Sequence, residues 1–308
     1  MKLYVAVTDN TWFANLRAIP EIDEVNFWQP GGKSRFGAIS EGELFLFKLH
    51  SPHDFIAGGG VFFYSNILPV SLAWQAFEEK NGAASLLEMR RLIENYRGEE
   101  PTYADYEIGC IILTQPFFWS EDQCFPVPSD WKPSIVQGKT YDISNEIGKK
   151  LWDDVQLHLH ARPELVLEPR DEKHKGRYGE PILIKPRLGQ GSFRVFVTDA
   201  YRRQCAVTQE RTLPALDAAH IKPYAESGPH DIGNGILLRA DIHHLLDSGY
   251  ATVSPDYHFE VSKSIQDDFD NGEEYYKMHG SRLYLPAQKD LRPAPEFIHW
   301  HNEHKFKG

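Results

Sequence analysis

The stretch that most constrains this chain runs from Cys205 to Val253, where His220, Asn234, His243 and Asp247 stand at fixed intervals in apolar or turn-forming sequence. LDAAHI is a short apolar run ending on His220, and ILLR is a second one after the Gly- and Pro-rich loop SGPHDIGNG, which carries Asn234. Runs of this length between turn residues read as strands. DIHHLLD then has helical spacing, and His243 and Asp247, at i and i+4, project from one face of that helix. The order strand, loop, strand, helix converges these side chains on one point.

The residue types suit hydrolysis of a phosphodiester, which needs an activated water, neutralised phosphate charge and help for the leaving oxygen. His220, at the end of a stiff strand, can present a neutral imidazole as general base. The Asn234 carboxamide can tie the loop to the strands by hydrogen bonds to the backbone. One imidazole and one carboxylate, His243 and Asp247, leave room for water and phosphate around a hard divalent cation such as Mg²⁺ or Mn²⁺. His244 points about 100° away from His243 around a helix, and reads as a phosphate contact or a surface residue. Taken singly, each residue has a bland reading: a satisfied core histidine, a turn asparagine, a surface i,i+4 pair. The set in this order is what points to a site.

AAHIKPY followed by NGILLRADIHHLLDSGY resembles the HNH nucleases, the ββα-metal fold, over roughly residues 182–304. The resemblance implies that His220 is the general base, Asn234 orients the loop and His243 binds metal, with Asp247 where a second helix ligand could stand. Many such nucleases carry a ligand just before the first histidine. Here that residue is Ala219, and Asp217, which shares its strand parity, is the candidate replacement. Many relatives also hold a structural zinc in two CxxC pairs. This chain has three cysteines, Cys110, Cys124 and Cys205, in no such pair, so neither a structural zinc nor a disulfide framework is expected.

The remaining residues read as a separate domain. At 308 residues the chain suits two domains: 1–160, a linker over 161–181, and 182–308. Strands are expected at 3–8, 43–49, 56–65 and 108–119, and helices at 11–18 (capped by Thr11), 71–97 (with Ser85 and Glu88 as a capping pair and Gly98 as the stop) and 144–161. The segments 25–39 and 125–142 read as loops. GGG at 58–60 suggests a bulge or a close backbone approach. This is an α+β order, with a curved sheet or small open barrel in the first domain. Beyond the linker, ILIK (182–185) reads as a strand, GQG as a turn, and FRVFVTDAYRRQ as a helix with Phe193, Phe196, Val197 and Tyr201 on one face. A hairpin turning at Pro255-Asp256 and a last strand at 281–286 follow.

A net charge of −11 argues against a protein that coats nucleic acid along its whole surface. Basic residues are nevertheless concentrated before the motif, with ten Lys or Arg against six Asp or Glu over 160–205, and Arg194 is a candidate DNA contact there. The first domain, with FWQPGGKSRF and GELFLFKLHSPHDFIAGGGVFF, resembles the PUA superfamily, in particular EVE-like domains. That resemblance implies a reader of modified bases serving the nuclease, in the manner of modification-dependent restriction enzymes. Reading a modified base means taking it out of the stack and holding it between flat side chains. Trp28 and Phe36 are the leading candidates, with Trp12 and Phe27 nearby and Trp119 and Trp131 as second choices; Lys33 and Arg35 can meet phosphate. The expected partner is double-stranded DNA, its modified base a 5-modified cytosine, and cutting both strands takes two protomers, as in a homodimer, or two encounters. Alternative readings are a nicking nuclease directed by sequence or structure, and a DNA-binding reader that has lost catalysis. No leader peptide or membrane span is legible, and the expected location is the cytoplasm.

Overall fold

The computed structural model describes residues 1–98, 104–160 and 188–308. The chain divides into two compact units, Met1–Arg187 and Leu188–Gly308. The expected linker at 161–181 and the strand expected at 182–185 lie outside the described residues.

The first unit contains strands β1 (Lys2–Thr8), β2 (Glu24–Gln29), β3 (Leu44–Leu49), β4 (Phe55–Pro69), β5 (Glu107–Phe118), β6 (Phe125–Pro126) and β7 (Gly138–Asp142), with helices α1 (Asn10–Arg17), α2 (Val70–Phe77), α3 (Leu86–Arg97) and α4 (Glu146–His160). The strands form one mixed sheet in the order β2-β5-β4-β3-β1-β7, with β6 pairing β4. β1 and β3 run parallel, and the other pairs among the described residues are antiparallel. Strand alternation sorts the two faces. Leu3, Val5, Leu44 and Leu46 pack with Leu151, Trp152, Val155 and Leu159 of α4. Tyr4, Phe45 and Phe47 face the opposite way, into an aromatic cluster with Trp12, Phe27 and Phe36. The three glycines of β4 serve both expected purposes. A Cβ on Gly58 would lie 2.3 Å from the Phe117 carbonyl oxygen, and the β4–β5 register slips between Gly59 and Val61.

Several expectations need correction. Residues 24–29 are a strand, not a loop: β2 pairs along its length with β5. Asn26 breaks the apolar pattern that would have announced it, yet its amide is held inside by Asn81 Oδ1 at 2.9 Å. Within 125–142, β7 pairs with β1 although GKTYD is a weakly apolar run. The α1 cap is Asp9, whose carboxylate accepts from the Trp12 amide at 2.8 Å; the helix starts at Asn10, so Thr11 already lies inside it. The Ser85 cap, with the Glu88 amide donating to Ser85 Oγ, and the left-handed stop at Gly98 are as expected.

The second unit contains α5 (Gln190–Ala200), β8 (Leu216–His220), β9 (Gly235–Arg239), α6 (Ala240–Asp247), β10 (Ala251–Val253), β11 (Phe259–Val261), α7 (Ser264–Phe269), α8 (Glu273–Tyr276) and α9 (Pro295–His304). β8 pairs antiparallel with β9, and β10 with β11 as the expected hairpin. Phe193, Val197 and Tyr201 enter the core with Ala219, Ile236, Leu238, Ile242 and Leu246, whereas Phe196 is only half-buried. Gln190 and Gly191 belong to α5, with Gly189 as its N-cap, so no GQG turn precedes the helix. Residues 281–286 make an isolated bridge from Arg282 to His258 and not a strand. Their amides go to scattered partners, Leu283 to the Tyr257 carbonyl and Tyr284 to that of Ala206. Among the described residues no helix is long and apolar enough to cross a membrane.

Candidate active site

The β8–β9 pair and α6 bring the motif residues together. His220 and Gly235 stand opposite each other in the ladder. A Cβ on Gly235 would meet Phe193 ring carbons at 3.0 Å and Val197 at 2.4 Å, so the glycine lets α5 approach. Phe193 uses that space to stack on His220, ring centroids 3.9 Å apart and planes 10° from parallel. The half-buried His220 ring is thereby fixed in plane. Burial, then the charges of His230 and His243, push its pKa down to about 4, so it is neutral near pH 7 and able to accept a proton.

Asn234 is fully buried. Its Oδ1 accepts from the Lys222 amide at 2.8 Å, and its Nδ2 donates to the carbonyls of Lys222 at 2.9 Å and Pro229 at 3.0 Å. The side chain closes the loop between β8 and β9 on itself, which is the orienting role its position suggested. Gly228 is needed for the same closure: a Cβ there would lie 1.9 Å from the Lys222 carbonyl oxygen.

On α6, His243 lies between two carboxylates. Its Nδ1 is 3.5 Å from Asp217 Oδ2 and its Nε2 is 3.3 Å from Asp247 Oδ2. The donor set, one imidazole and oxygen ligands with exposed edges, suits a hard divalent cation. The ring offers a different nitrogen to each carboxylate, however, and no three such groups among the described residues are gathered into a metal site. Asp217 and Asp247 thus stand at different nitrogens of the His243 ring, Nδ1 and Nε2 respectively. His243 would hold a divalent ion with either carboxylate, and the bound ion would supply charge neutralisation at the phosphate. His244 is exposed, its ring parallel to that of His243 at 6.1 Å. Arg194 sits on α5 beside Phe193.

Two histidines of this unit were not legible as parts of the centre. His230 Nδ1 lies 3.0 Å from His220 Nε2, delivered by the loop that Asn234 closes. His301, from the His-rich tail, is buried on α9, with Nε2 3.0 Å from the Leu246 carbonyl and Nδ1 2.8 Å from Thr252 Oγ1. It anchors the last turn of α6, and burial lowers its pKa. Cys205 accepts hydrogen bonds through Sγ from the amides of Arg239 and Thr208.

In the first unit, a cavity of about 770 Å³ opens on the aromatic face of the sheet, and Trp28, Lys33, Arg35 and Phe36 all line it, as do Tyr4, Asp9, Trp12, Phe27 and Tyr96. Trp28 lies on a strand and not on a loop. It is largely buried and its Nε1 donates to the Asn81 carbonyl at 3.0 Å. Phe36 packs edge-on against Tyr4, Phe45 and Phe62. Lys33 and Arg35 are exposed on the loop after β2. Trp119 is fully buried in the core on the opposite face, and Trp131 packs beside Lys48; neither lines the cavity.

A two-strand-and-helix unit with a histidine ending the first strand, a buried asparagine locking the loop and a second histidine on the helix defines an HNH-type centre. Residues 205–254 match the family model described as HNH endonuclease. This segment is thus similar to HNH endonucleases, a family that suggests nuclease activity on DNA and implies DNA binding. The match is narrower than the span 182–304 over which the sequence resembles such nucleases. No curated protein matches the chain.

Proposed function

We propose that the chain is a divalent-metal-dependent DNA endonuclease that hydrolyses phosphodiester bonds in DNA carrying a modified base, a 5-modified cytosine in the first instance, as a type IV-like restriction activity against foreign DNA. The observation that carries the nuclease half is the neutral, plane-locked His220 beside a loop pinned by Asn234, within the HNH-matching segment. In this reading His220 takes a proton from the attacking water. His243, with Asp217 or Asp247, holds Mg²⁺ or Mn²⁺ against the phosphate, and Arg194 and His244 contact the DNA backbone.

The modification half rests on the cavity of the first unit. Its size is within the range of small-molecule sites. Its walls are aromatic and its rim carries Lys33 and Arg35, a combination suited to a flipped base and its flanking phosphates. We read this unit as the PUA-superfamily, EVE-like reader. One HNH centre cuts one strand, so a double-strand break takes a homodimer or two encounters.

The test is digestion of matched plasmids, plain and cytosine-modified, with Mg²⁺ or Mn²⁺. Cutting confined to modified DNA is expected. Equal cutting of both would leave a nuclease directed by sequence or structure. Binding without cutting would leave an inactive reader.

A further inference from the structure

We propose that His230 is the positioning residue of the centre: it accepts the Nε2–H hydrogen bond of His220 and so fixes Nδ1 as the nitrogen offered to the attacking water. The proposal rests on the nuclease reading above and names which atom of His220 does the work.

The geometry is specific. His220 Nε2 and His230 Nδ1 are 3.0 Å apart. Each ring is clamped by an aromatic partner: Phe193 lies on His220, and Tyr224 lies on His230 with centroids 4.7 Å apart and planes 12° from parallel. The two imidazoles meet at 58°, so neither lies on the other's face. His230 is brought there by the residue before it, because the Pro229 carbonyl accepts from buried Asn234. The same Asn234 side chain holds both backbone groups of Lys222, two residues after His220. One carboxamide therefore fixes the spacing between the two histidines.

Proton counting assigns the roles. A neutral imidazole has one N–H and one lone pair. If His220 Nε2 accepted from His230, the His220 proton would sit on Nδ1 and no lone pair would remain to take a proton. If Nε2 donates, Nδ1 carries the lone pair, and among the described residues Nδ1 has no hydrogen-bond partner. His230 must then keep its own proton on Nε2 and accept through Nδ1. As water attacks phosphorus, its proton passes to His220 Nδ1, the new P–O bond forms, and the bond to the leaving oxygen breaks, that oxygen taking a proton from solvent. The Nε2 proton stays in place throughout. A carboxylate in the position of His230 would also fix the tautomer, but it would add a negative charge beside the phosphate. An imidazole orients without that repulsion.

The test compares the full-length protein with His220→Ala, His230→Phe and His230→Asn on the plasmid that it cuts. His230→Phe keeps a flat ring under Tyr224 but no acceptor, and His230→Asn restores an oxygen acceptor close to where Nδ1 stood. His230→Phe is expected to lower kcat by roughly 10- to 100-fold, the usual cost of losing an orienting partner, with KM within about twofold. His230→Asn should recover most of that loss. An unchanged kcat in His230→Phe, a change confined to KM, or an Asn variant no better than the Phe variant would each overturn the assignment. Imidazole nitrogen NMR of the full-length protein, with His220 and His230 assigned from the variants, gives a readout apart from cleavage. The Nε2–H tautomer of His220 is expected, and the Nδ1–H tautomer overturns the proposal whatever the kinetics. Cleavage that survives His220→Ala would instead bring down the nuclease reading itself, with the His230 role falling alongside it.

Discussion

Replacing Asn234 by alanine removes three hydrogen bonds in one step, one from the Lys222 amide and two to the carbonyls of Lys222 and Pro229. A net contribution of about 1 kcal/mol each, with part of the desolvation cost added where the abandoned groups stay dry, gives a loss of about 2–4 kcal/mol. That is roughly a 30- to 900-fold change in a local equilibrium. The assay is native-state hydrogen exchange in the full-length protein, read at the Lys222 amide, which donates to the side chain, and at the Ile221 amide, which donates to the Asn234 carbonyl. Asn234→Asp sharpens the test. A carboxylate keeps the shape but turns an acceptor toward two carbonyl oxygens and buries a charge. Its pKa must therefore rise on folding, so the variant is at its best below the ordinary carboxylate pKa and loses stability as pH climbs through the raised folded value. Protection in Asn234→Asp should fall between pH 5 and pH 8 while that of Asn234→Ala stays flat, after allowance for intrinsic exchange. An alanine variant within about 1 kcal/mol of the parent, or an aspartate variant indifferent to pH, would refute the claim that this amide holds the loop closed.

Other outcomes follow from the centre. His220, pushed down to about 4 by burial and by His230 and His243, should remain a competent base well below the ordinary histidine range, so the acid limb of kcat/KM should fall near pH 4; a limb near 6.5, the ordinary histidine value, would show that burial does not control it. The same shift costs stability on the acid side: between about pH 6.5 and 4 the unfolded chain binds a proton that folded His220 refuses, so this group's effect worsens as pH falls through that window and is level above it. For the metal, His243→Ala should abolish Mn²⁺ binding measured by titration calorimetry. Asp217→Asn and Asp247→Asn should lose affinity unequally, because the carboxylates address different nitrogens of one ring; equal losses would mean that both swing to the same side when the ion arrives.

The legible parts of the chain are those where a local pattern and the final environment agree. β1 and β3 announce themselves because both of their faces are buried, one under α4 and one in the aromatic cluster, so nearly every residue is apolar. The i,i+4 spacing of His243 and Asp247 survives unchanged onto α6, since a helix enforces it. β2 and β7 were illegible for the opposite reason. Their defining partners are distant strands, and the buried amide of Asn26 is met by Asn81 and by Cys110 Sγ, both far along the chain. The aromatic cavity falls between these cases. Its residues could be chosen as flat and near turns, but that Trp28 spends its N–H on the Asn81 carbonyl, and that Trp119 belongs to the other face, depends on long-range packing.

The same distinction explains why the sequence points to His220, the proposed base, but not to the histidine beside it. His220 is identifiable because it terminates a strand beside a motif asparagine, a relation carried by neighbouring residues. His230 sits in a loop of Gly, Pro and Asp where a histidine has no periodic signal to belong to. Its backbone is placed by contacts of its neighbours, the Pro229 carbonyl on Asn234 and the close pass of Gly228 over Lys222, and its ring then stacks on Tyr224. A loop closed by a buried amide is rigid enough to hold a second ring 3.0 Å from the first. In that case the central asparagine does more than tie two strands together. If His230 orients His220 as proposed, Asn234, which holds the Pro229 carbonyl beside it, shares in that positioning, and substitution of Asn234 should depress kcat in the same manner as loss of the His230 acceptor.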